Sequence, residues 1–346
     1  MLYAFELSGE HDVLPRKEII SCLHVAGLEF REHALFDQCL VVDISGNDWD
    51  IDEALVRVGK RLAMAHHIVK VAGICGVSED TIIATAENLD LSAHISPGQT
   101  YVVRAKRIKH SGKIKREFIE GMIGGSIYRK GFRANLRSAD VVFRLIMTDR
   151  AVLGSVVASV DRGDYEHRAP HRKPFFYPGV LMPRVARALV NISRIRSGEV
   201  LLDPFSGTAG ILVEAGLLSA HVIGIEVREK IVRGARMNMD LFDSDYSLLV
   251  GDACRIPVRN CTVDAIVTDP PYGRSAAIKA ESLHHLYSGS FSEMHRVLKK
   301  GKLAVVVSEV QVVDFATEAG FSVVDIFTQR IHGSLTRTFT VLRKEC

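Results

Sequence analysis

An α/β domain built on a mostly parallel sheet, preceded by an α+β half, is the architecture that three features of the 346-residue sequence predict. The first is a change of rhythm. Up to about residue 160, strands and helices alternate with periods of 2 and 3.6. Beyond residue 178, short and nearly continuous apolar strands alternate with helices, the pattern of a parallel sheet covered on both faces. The second is that strands of the later half run into acids or a glycine-bearing loop, and such sheets bind ligands at their carboxyl ends. The third is the polar, basic stretch Asp161–Pro178, where Pro170, Pro174 and Pro178 fix φ and exclude helix, so that it reads as a crossing linker.

In the first half the expected order is strand Tyr3–Leu7, helix Pro15–Ala26, strand Cys39–Ile44, helix Ile51–Leu62 and strand His67–Ile74, a small α+β unit of residues 1–76. Helix Glu79–Asn88, strand Thr100–Arg107, a basic helix Lys115–Arg129 and strands Val141–Met147 and Val152–Ser159 make a second unit, residues 77–160. His94-Ile95-Ser96-Pro97-Gly98 interrupts the chain inside it, and Asp149-Arg150 forms its last turn. From residue 179 onward, helix Arg184–Ile195 precedes strands Glu199–Asp203, Val222–Glu226 and Leu248–Val250 with helices Ala209–Ala220 and Arg228–Leu241 between them. Strand Ala265–Thr268, helix Ser290–Lys299, strand Leu303–Ser308, helix Val312–Glu318 and strands Val323–Phe327 and Thr338–Arg343 complete the domain.

Composition bounds the function. With 47% hydrophobic and 25% charged residues the chain is an ordinary soluble protein, and no apolar run reaches the ~18 residues of a membrane span. Met1 to Leu7 alternates like a strand and has no basic leader, so a cytoplasmic protein is expected. Cys22, Cys39, Cys75, Cys254, Cys261 and Cys346 lack paired or metal-ligand spacing and read as reduced thiols, and no metal site is expected. The net charge of +3 is unevenly placed. Arg104, Lys106, Arg107, Lys109, Lys113, Lys115, Arg116, Arg129, Lys130, Arg133 and Arg137 face only Glu117 and Glu120 in one window, a surplus of nine positive charges that leaves the remainder negative. A local polyanion site is the natural reading.

The chemistry sits at the strand ends. The segment Asp203-Pro204-Phe205-Ser206-Gly207-Thr208-Ala209-Gly210 joins a strand to a helix, and its glycines let backbone approach a ligand at a helix N-terminus. It has one GxxG and lacks the dinucleotide fingerprint. Glu226 follows at about the ~20-residue offset of a ribose-binding carboxylate, and Asp252 can accept from an adenine amino group. Acids at successive strand ends after a glycine loop make a nucleoside site. The next strand ends Thr268-Asp269-Pro270-Pro271-Tyr272-Gly273. Two prolines stiffen this corner and donate no N–H, so Asp269 and the Pro270 carbonyl form an acceptor pair that suits an exocyclic NH2, with Tyr272 placed to stack on its ring.

The glycine loop and the Asp-Pro-Pro-Tyr corner resemble those of class I amino-methyltransferases. Arg168-Ala169-Pro170-His171-Arg172-Lys173-Pro174-Phe175-Phe176-Tyr177-Pro178-Gly179 and Ile331-His332-Gly333-Ser334-Leu335-Thr336-Arg337 narrow the resemblance, over essentially the whole chain, to the archaeal tRNA guanosine-10 N2-methyltransferases. The resemblance implies a ferredoxin-like domain, a THUMP domain and a Rossmann-like catalytic domain with a mostly parallel, seven-stranded sheet. It implies S-adenosylmethionine as cofactor: Asp203, Phe205, Gly207, Thr208 and Gly210 around its methionine end, Glu226 on the ribose, Asp252 and Ala253 on the adenine, and Phe175 to Pro178 closing over it. Asp269, Pro270, Pro271 and Tyr272 would hold the target base, and the cationic window would grip the tRNA acceptor end. A monomer aided by a small activating subunit is compatible with it. Other readings are an rRNA guanine-N2 or nucleic-acid adenine-N6 methyltransferase, since the corner cannot tell these amino groups apart, and a non-catalytic RNA-binding protein.

Overall fold

A computed structural model describes residues 1–108, 114–272, 280–332 and 335–345. The chain divides into two compact units, one of Met1–Arg16 with Ala26–Asp161 and the other of Lys17–Val25 with Arg162–Cys346. In chain order the elements up to residue 161 are β1 (Leu2–Leu7), α1 (Leu14–Val25), β2 (Phe30–Phe36), β3 (Cys39–Ile44), α2 (Asp48–Arg61), β4 (Ala65–Cys75), α3 (Glu79–Glu87), β5 (Thr100–Arg107), α4 (Arg116–Arg129), β6 (Arg133–Ala134), β7 (Val141–Met147) and β8 (Ala151–Ser159).

The eight strands form one sheet in the order β2-β3-β1-β4-β8-β7-β5-β6. The boundary expected at residue 76 therefore does not separate two sheets, because β4 pairs antiparallel with β8 from His67↔Ser159 to Cys75↔Ala151. The sequence reading also missed β2. Its residues FREHALF are mostly exposed at the sheet edge, so no buried face marks it, and its charged residues suit an edge. α1 is shared, its Lys17–Val25 portion clustering with the second unit.

Across the first sheet, Arg144 on β7 forks onto buried Glu6 on β1, with Nε and Nη2 each donating at 2.8 Å to a carboxylate oxygen. The pair spans β4 and β8, which lie between those strands. A charge so placed is tolerable only while its partner is present.

In the second unit, α5 (Asp164–His167) and a 3₁₀ turn (Pro170–Arg172) lead to α6 (Pro183–Ile192) and β9 (Val200–Asp203). Then come α7 (Gly210–Gly216), β10 (His221–Glu226), α8 (Glu229–Met239), β11 (Tyr246–Val250) and β12 (Val263–Thr268). α9 (Ala280–Val297), β13 (Leu298–Ser308), α10 (Val313–Glu318), β14 (Phe321–His332) and β15 (Leu335–Lys344) follow. The expectation that the prolines exclude helix from residues 161–178 is corrected by α5 and the 3₁₀ turn. Pro170 stands in the first turn, where a missing N–H costs nothing. α9 begins about ten residues earlier than the apolar pattern indicated, and Tyr287, Phe291 and Met294 bury one face of it.

The second sheet runs β11-β10-β9-β12-β13-β15-β14. β11, β10, β9, β12 and β13 are parallel, while β15 is antiparallel to both β13 and β14. This is the mostly parallel, seven-stranded arrangement expected. The order reverses between β9 and β12, and a crevice opens at such a switch point beyond the carboxyl ends. Leu202, Ile225, Ile266 and Val306 put the core under those ends.

Glu6→Ala should strand the Arg144 guanidinium and destabilise the protein by about 3–5 kcal/mol, read by chemical denaturation; a loss below about 1 kcal/mol would show that water replaces the carboxylate.

Candidate active site

β9 ends in Asp203, and the chain turns through Gly207 (φ +47°) and Ala209 (φ +66°) into α7. Left-handed backbone at a residue with a Cβ is uncommon and needs surrounding support. Support comes from Ser206, whose N–H and hydroxyl both donate to the Ile225 carbonyl of β10 at 2.9 and 3.2 Å. A Cβ built on Gly210 would meet nothing within 4 Å, so the mouth of the loop is open.

Asp203 is only 2% exposed. It accepts from the Thr268 hydroxyl at 2.6 Å and from the Phe205 N–H at 3.0 Å. Burial is the main influence on its carboxyl; the two hydrogen bonds favour the charged form but do not offset it, and the pKa is pushed up to about 7. Thr268 is the last residue of β12, so this bond ties the glycine loop to the residue before Asp269. The β9–β12 register, Ala265↔Leu201 and Ile266↔Leu202, brings the two strand ends side by side.

Asp269 and Pro271 are half-buried, and Pro270 is buried. The Tyr272 hydroxyl donates to Asp269 Oδ1. Its ring is thereby tied to the corner it was expected to extend. The Pro271 carbonyl is braced by the Tyr287 hydroxyl at 3.1 Å. Pro271 thus serves as a strut, while Asp269 Oδ2 and the Pro270 carbonyl have no hydrogen bond among the described residues. Burial pushes Asp269 up to about 7, opposed by the Arg337 guanidinium and reinforced by Asp203 and Glu309. Gly273 lies outside the described residues, as do Gly333 and Ser334 of the later segment.

Glu226 ends β10 and is nearly buried, with Oε1 accepting from the backbone N–H and Nε of Arg228 at 3.0 and 2.9 Å. The Arg228 guanidinium in turn lies 5.3 Å from the centre of the Tyr177 ring. Asp252 is exposed and closes a turn on the Cys254 N–H at 2.9 Å, beside buried Ala253.

The segment before α6 is fixed to this site by residues the sequence reading did not single out. Fully buried Asn238 of α8 accepts from the Phe175 N–H (3.0 Å) and donates to the Phe175 and Thr208 carbonyls (2.9 and 3.0 Å). A Cβ at Gly234 would stand 2.2 Å from the Phe175 ring, so only glycine admits this approach. Glu214 of α7, 1% exposed, accepts from Arg168 Nε at 2.8 Å and Arg187 Nε at 3.0 Å. An asparagine and a glutamate on otherwise apolar helix faces were the available signal. The acids, the open loop and the donors around them fit a nucleoside cofactor with a charged amino-acid tail.

The sequence profile of the RMKL-like methyltransferase domain (UPF0020) matches residues 170–338. A tRNA (guanine(10)-N2)-dimethyltransferase of Methanothermobacter thermautotrophicus is 32% identical over 342 residues, 98% of each chain. The chain belongs to the archaeal tRNA (guanine-10-N2)-methyltransferase family. A relative with the same description from Pyrococcus abyssi is 34% identical over 292 residues, 83% of this chain and 86% of its own. The crystal structure of TrmN from Thermus thermophilus shares the fold, with a TM-score of 0.55 at 20% identity over 99% of this chain and 100% of that one. Membership makes the protein a class I methyltransferase with S-adenosylmethionine as cofactor.

The cationic window lies in the first unit, on β5, α4 and β6. Lys106, Lys115, Arg133 and Arg137 are exposed, as are Arg104, Arg107 and Arg116. Some of these charges also serve the fold: Arg104 donates to the Leu136 carbonyl (3.1 Å), Arg107 to that of Ile114 (3.1 Å) and Lys130 to that of Leu89 (2.7 Å), while Arg129 pairs with Glu87 (3.0 Å). Lys109 and Lys113 lie outside the described residues. Among the described residues no helix is long and apolar enough to cross a membrane.

Thr268→Val keeps the side-chain shape and removes a donor from buried Asp203. It should cost about 1–3 kcal/mol of stability and weaken cofactor affinity together, read by thermal unfolding and calorimetry; unchanged values in both would show the bond to be incidental.

Proposed function

We propose that the enzyme methylates the exocyclic N2 of guanosine at position 10 of tRNA, giving N2-methylguanosine and then, as the names of its relatives suggest, the dimethylated nucleoside. The observation that carries this reading is the Thr268–Asp203 hydrogen bond, which sets the diproline corner against the cofactor loop. Asp203 and the Phe205–Gly210 turn would hold the methionine end of the cofactor, Glu226 the ribose, and Asp252 and Ala253 the adenine. Phe175 to Pro178 would close over the cofactor, with the Phe175 backbone pinned by Asn238.

The bound cofactor supplies an electrophilic methyl group. Asp269 Oδ2 and the Pro270 carbonyl accept the two N–H bonds of the target amine and aim its nitrogen. Rate comes mainly from this alignment, then from the carboxylate facing positive charge that grows on nitrogen in the transition state. Tyr272, donating to Oδ1, leaves Oδ2 as the oxygen that meets the amine and receives its proton. No stronger base is required, because a methylated ammonium of this kind is acidic.

A guanine in a stem must leave its stack, at a cost of roughly a few kcal/mol. Interactions elsewhere on the tRNA offset that cost, and the exposed cations of residues 77–160, read as a THUMP domain, are suited to phosphates. Any small activating subunit would add to this scheme without changing it. Mass spectrometry of nucleosides from tRNA treated with enzyme and labelled cofactor tests the whole reading: label on N2 of guanosine 10 supports it, and label on adenine N6, on rRNA alone or on nothing refutes it.

Two further outcomes are expected. Because Asp269 must be ionised to accept two donors and its pKa is raised to about 7, single-turnover rate should climb as pH rises through that value. Asp269→Asn should lower the rate by orders of magnitude and flatten that limb; a limb unchanged in the variant would assign the titration to Asp203. Replacing Lys115, Arg116 and Arg133 with alanine should reduce the slope of log affinity against log salt by about 0.7–0.9 for each phosphate that is no longer neutralised. An unaltered slope would remove these residues from the footprint.

A further inference from the structure

β14 and β15 extend the catalytic sheet beyond β13, and their ladder sets Gln329 directly across from Arg337. Arg337 Nε and Gln329 Oε1 are both shielded from solvent, and neither has a hydrogen-bond partner among the described residues. Buried polar atoms are nearly always paired, and the Arg337 Nε–H is a donor that asks for an acceptor.

The register says where that group would be. Thr268 of β12 stands beside Val306 of β13, Val306 beside Thr340 of β15, and Ser308 beside Thr338. One residue beyond Thr338, Arg337 lies level with the diproline corner, two interstrand spacings or about 10 Å from β12. Phe327 and Phe339 stack with ring centres 5.1 Å apart, and Gln329 and Arg337, each two residues further toward the sheet's carboxyl edge, continue the same face. The Arg337 charge acts on Asp269 across this gap.

We propose that Arg337 donates to O6 of the target base and so selects guanine over other bases that carry an amino group. The assignment rests on the guanine-N2 reading above. Guanine presents O6, N1–H and N2–H₂ in a row. With its amine held by Asp269 and Pro270, its oxygen points away from the corner toward the side on which β15 lies. Arginine is the side chain best matched to a guanine oxygen. An adenine offering its own amine to Asp269 has no oxygen to present, and the guanidinium stays unpaired. A site built around such a donor rejects the analogue that lacks the acceptor.

The test uses the full-length enzyme and ligated tRNAs carrying guanine or 2-aminopurine at the target position, the latter keeping the N2 amine and lacking O6. Wild-type kcat/KM should be roughly 10- to 100-fold lower on 2-aminopurine. Arg337→Ala should lose about that factor on guanine and nothing further on 2-aminopurine, with cofactor affinity by calorimetry unchanged. Equal use of both bases by the wild type, or equal loss on both in Arg337→Ala, overturns the assignment. Should that variant fail to fold, Arg337→Met on the same two tRNAs takes its place, with the same outcomes supporting or overturning the assignment. A wild type that methylates N2 of neither base refutes the guanine-N2 reading, and this assignment falls with it.

Discussion

A single buried hydrogen bond, from the Thr268 hydroxyl to the Asp203 carboxylate, joins the two halves of the chemistry. One partner closes the strand that leads into the cofactor loop, and the other immediately precedes the diproline corner. The sheet order makes the bond possible, because β9 and β12 are neighbours although α7, β10, α8 and β11 separate them in sequence. Its setting makes it demanding. A carboxylate out of water must find donors, and with the Thr268 hydroxyl and the Phe205 N–H as its donors among the described residues the effect of burial still prevails, raising the pKa to about 7. Any movement of β12 relative to β9 would therefore disturb both the Asp203 end of the glycine-bearing loop and the position of Asp269.

Much of this was legible in the sequence because it is local. Short apolar strands, the glycine-bearing turn and the acids Asp203, Glu226 and Asp269 all announce themselves within ten residues, and the structure sets them along one sheet edge. The features that escaped are those whose cause lies elsewhere in the chain. Edge strand β2 has no buried face to give it a period. Asn238 looks like a poor helix residue until Phe175 and Thr208 are seen to need its amide. Nothing local in the sequence announces that the Tyr272 hydroxyl donates to Asp269. The sheet runs unbroken from β4 into β8 across the residue-76 boundary that element alternation and the family's domain order implied.

The basic, proline-containing stretch before α6 illustrates how much non-local pairing changes a reading. As sequence it has the marks of a solvated linker. In the fold, Arg168 and Arg187 neutralise one buried glutamate on α7, and Phe175 is clasped by the amide of Asn238 over a glycine on α8. Each anchor lies on a helix that follows a strand ending in an acid, α7 after Asp203 and α8 after Glu226. The stretch is thus part of the catalytic unit, and its prolines serve to hold an irregular path that hydrogen bonds to Glu214 and Asn238 then fix.

Methylating an amine that is delocalised into a purine calls for little acid–base power and much alignment. The acids at the carboxyl edge of the sheet meet that demand in different ways. Glu226 accepts from Arg228, which would suit the ribose-holding role proposed for it. Asp269 lacks such a cation beside it among the described residues, feels Arg337 only at a distance, and is pushed up to about 7. A carboxylate with a pKa near neutrality responds strongly to charge that appears beside it, so in the proposed mechanism positive charge growing on the target nitrogen would strengthen the hydrogen bond that aims it. The same burial that makes Asp269 costly to ionise would, in that mechanism, make it effective once the amine arrives.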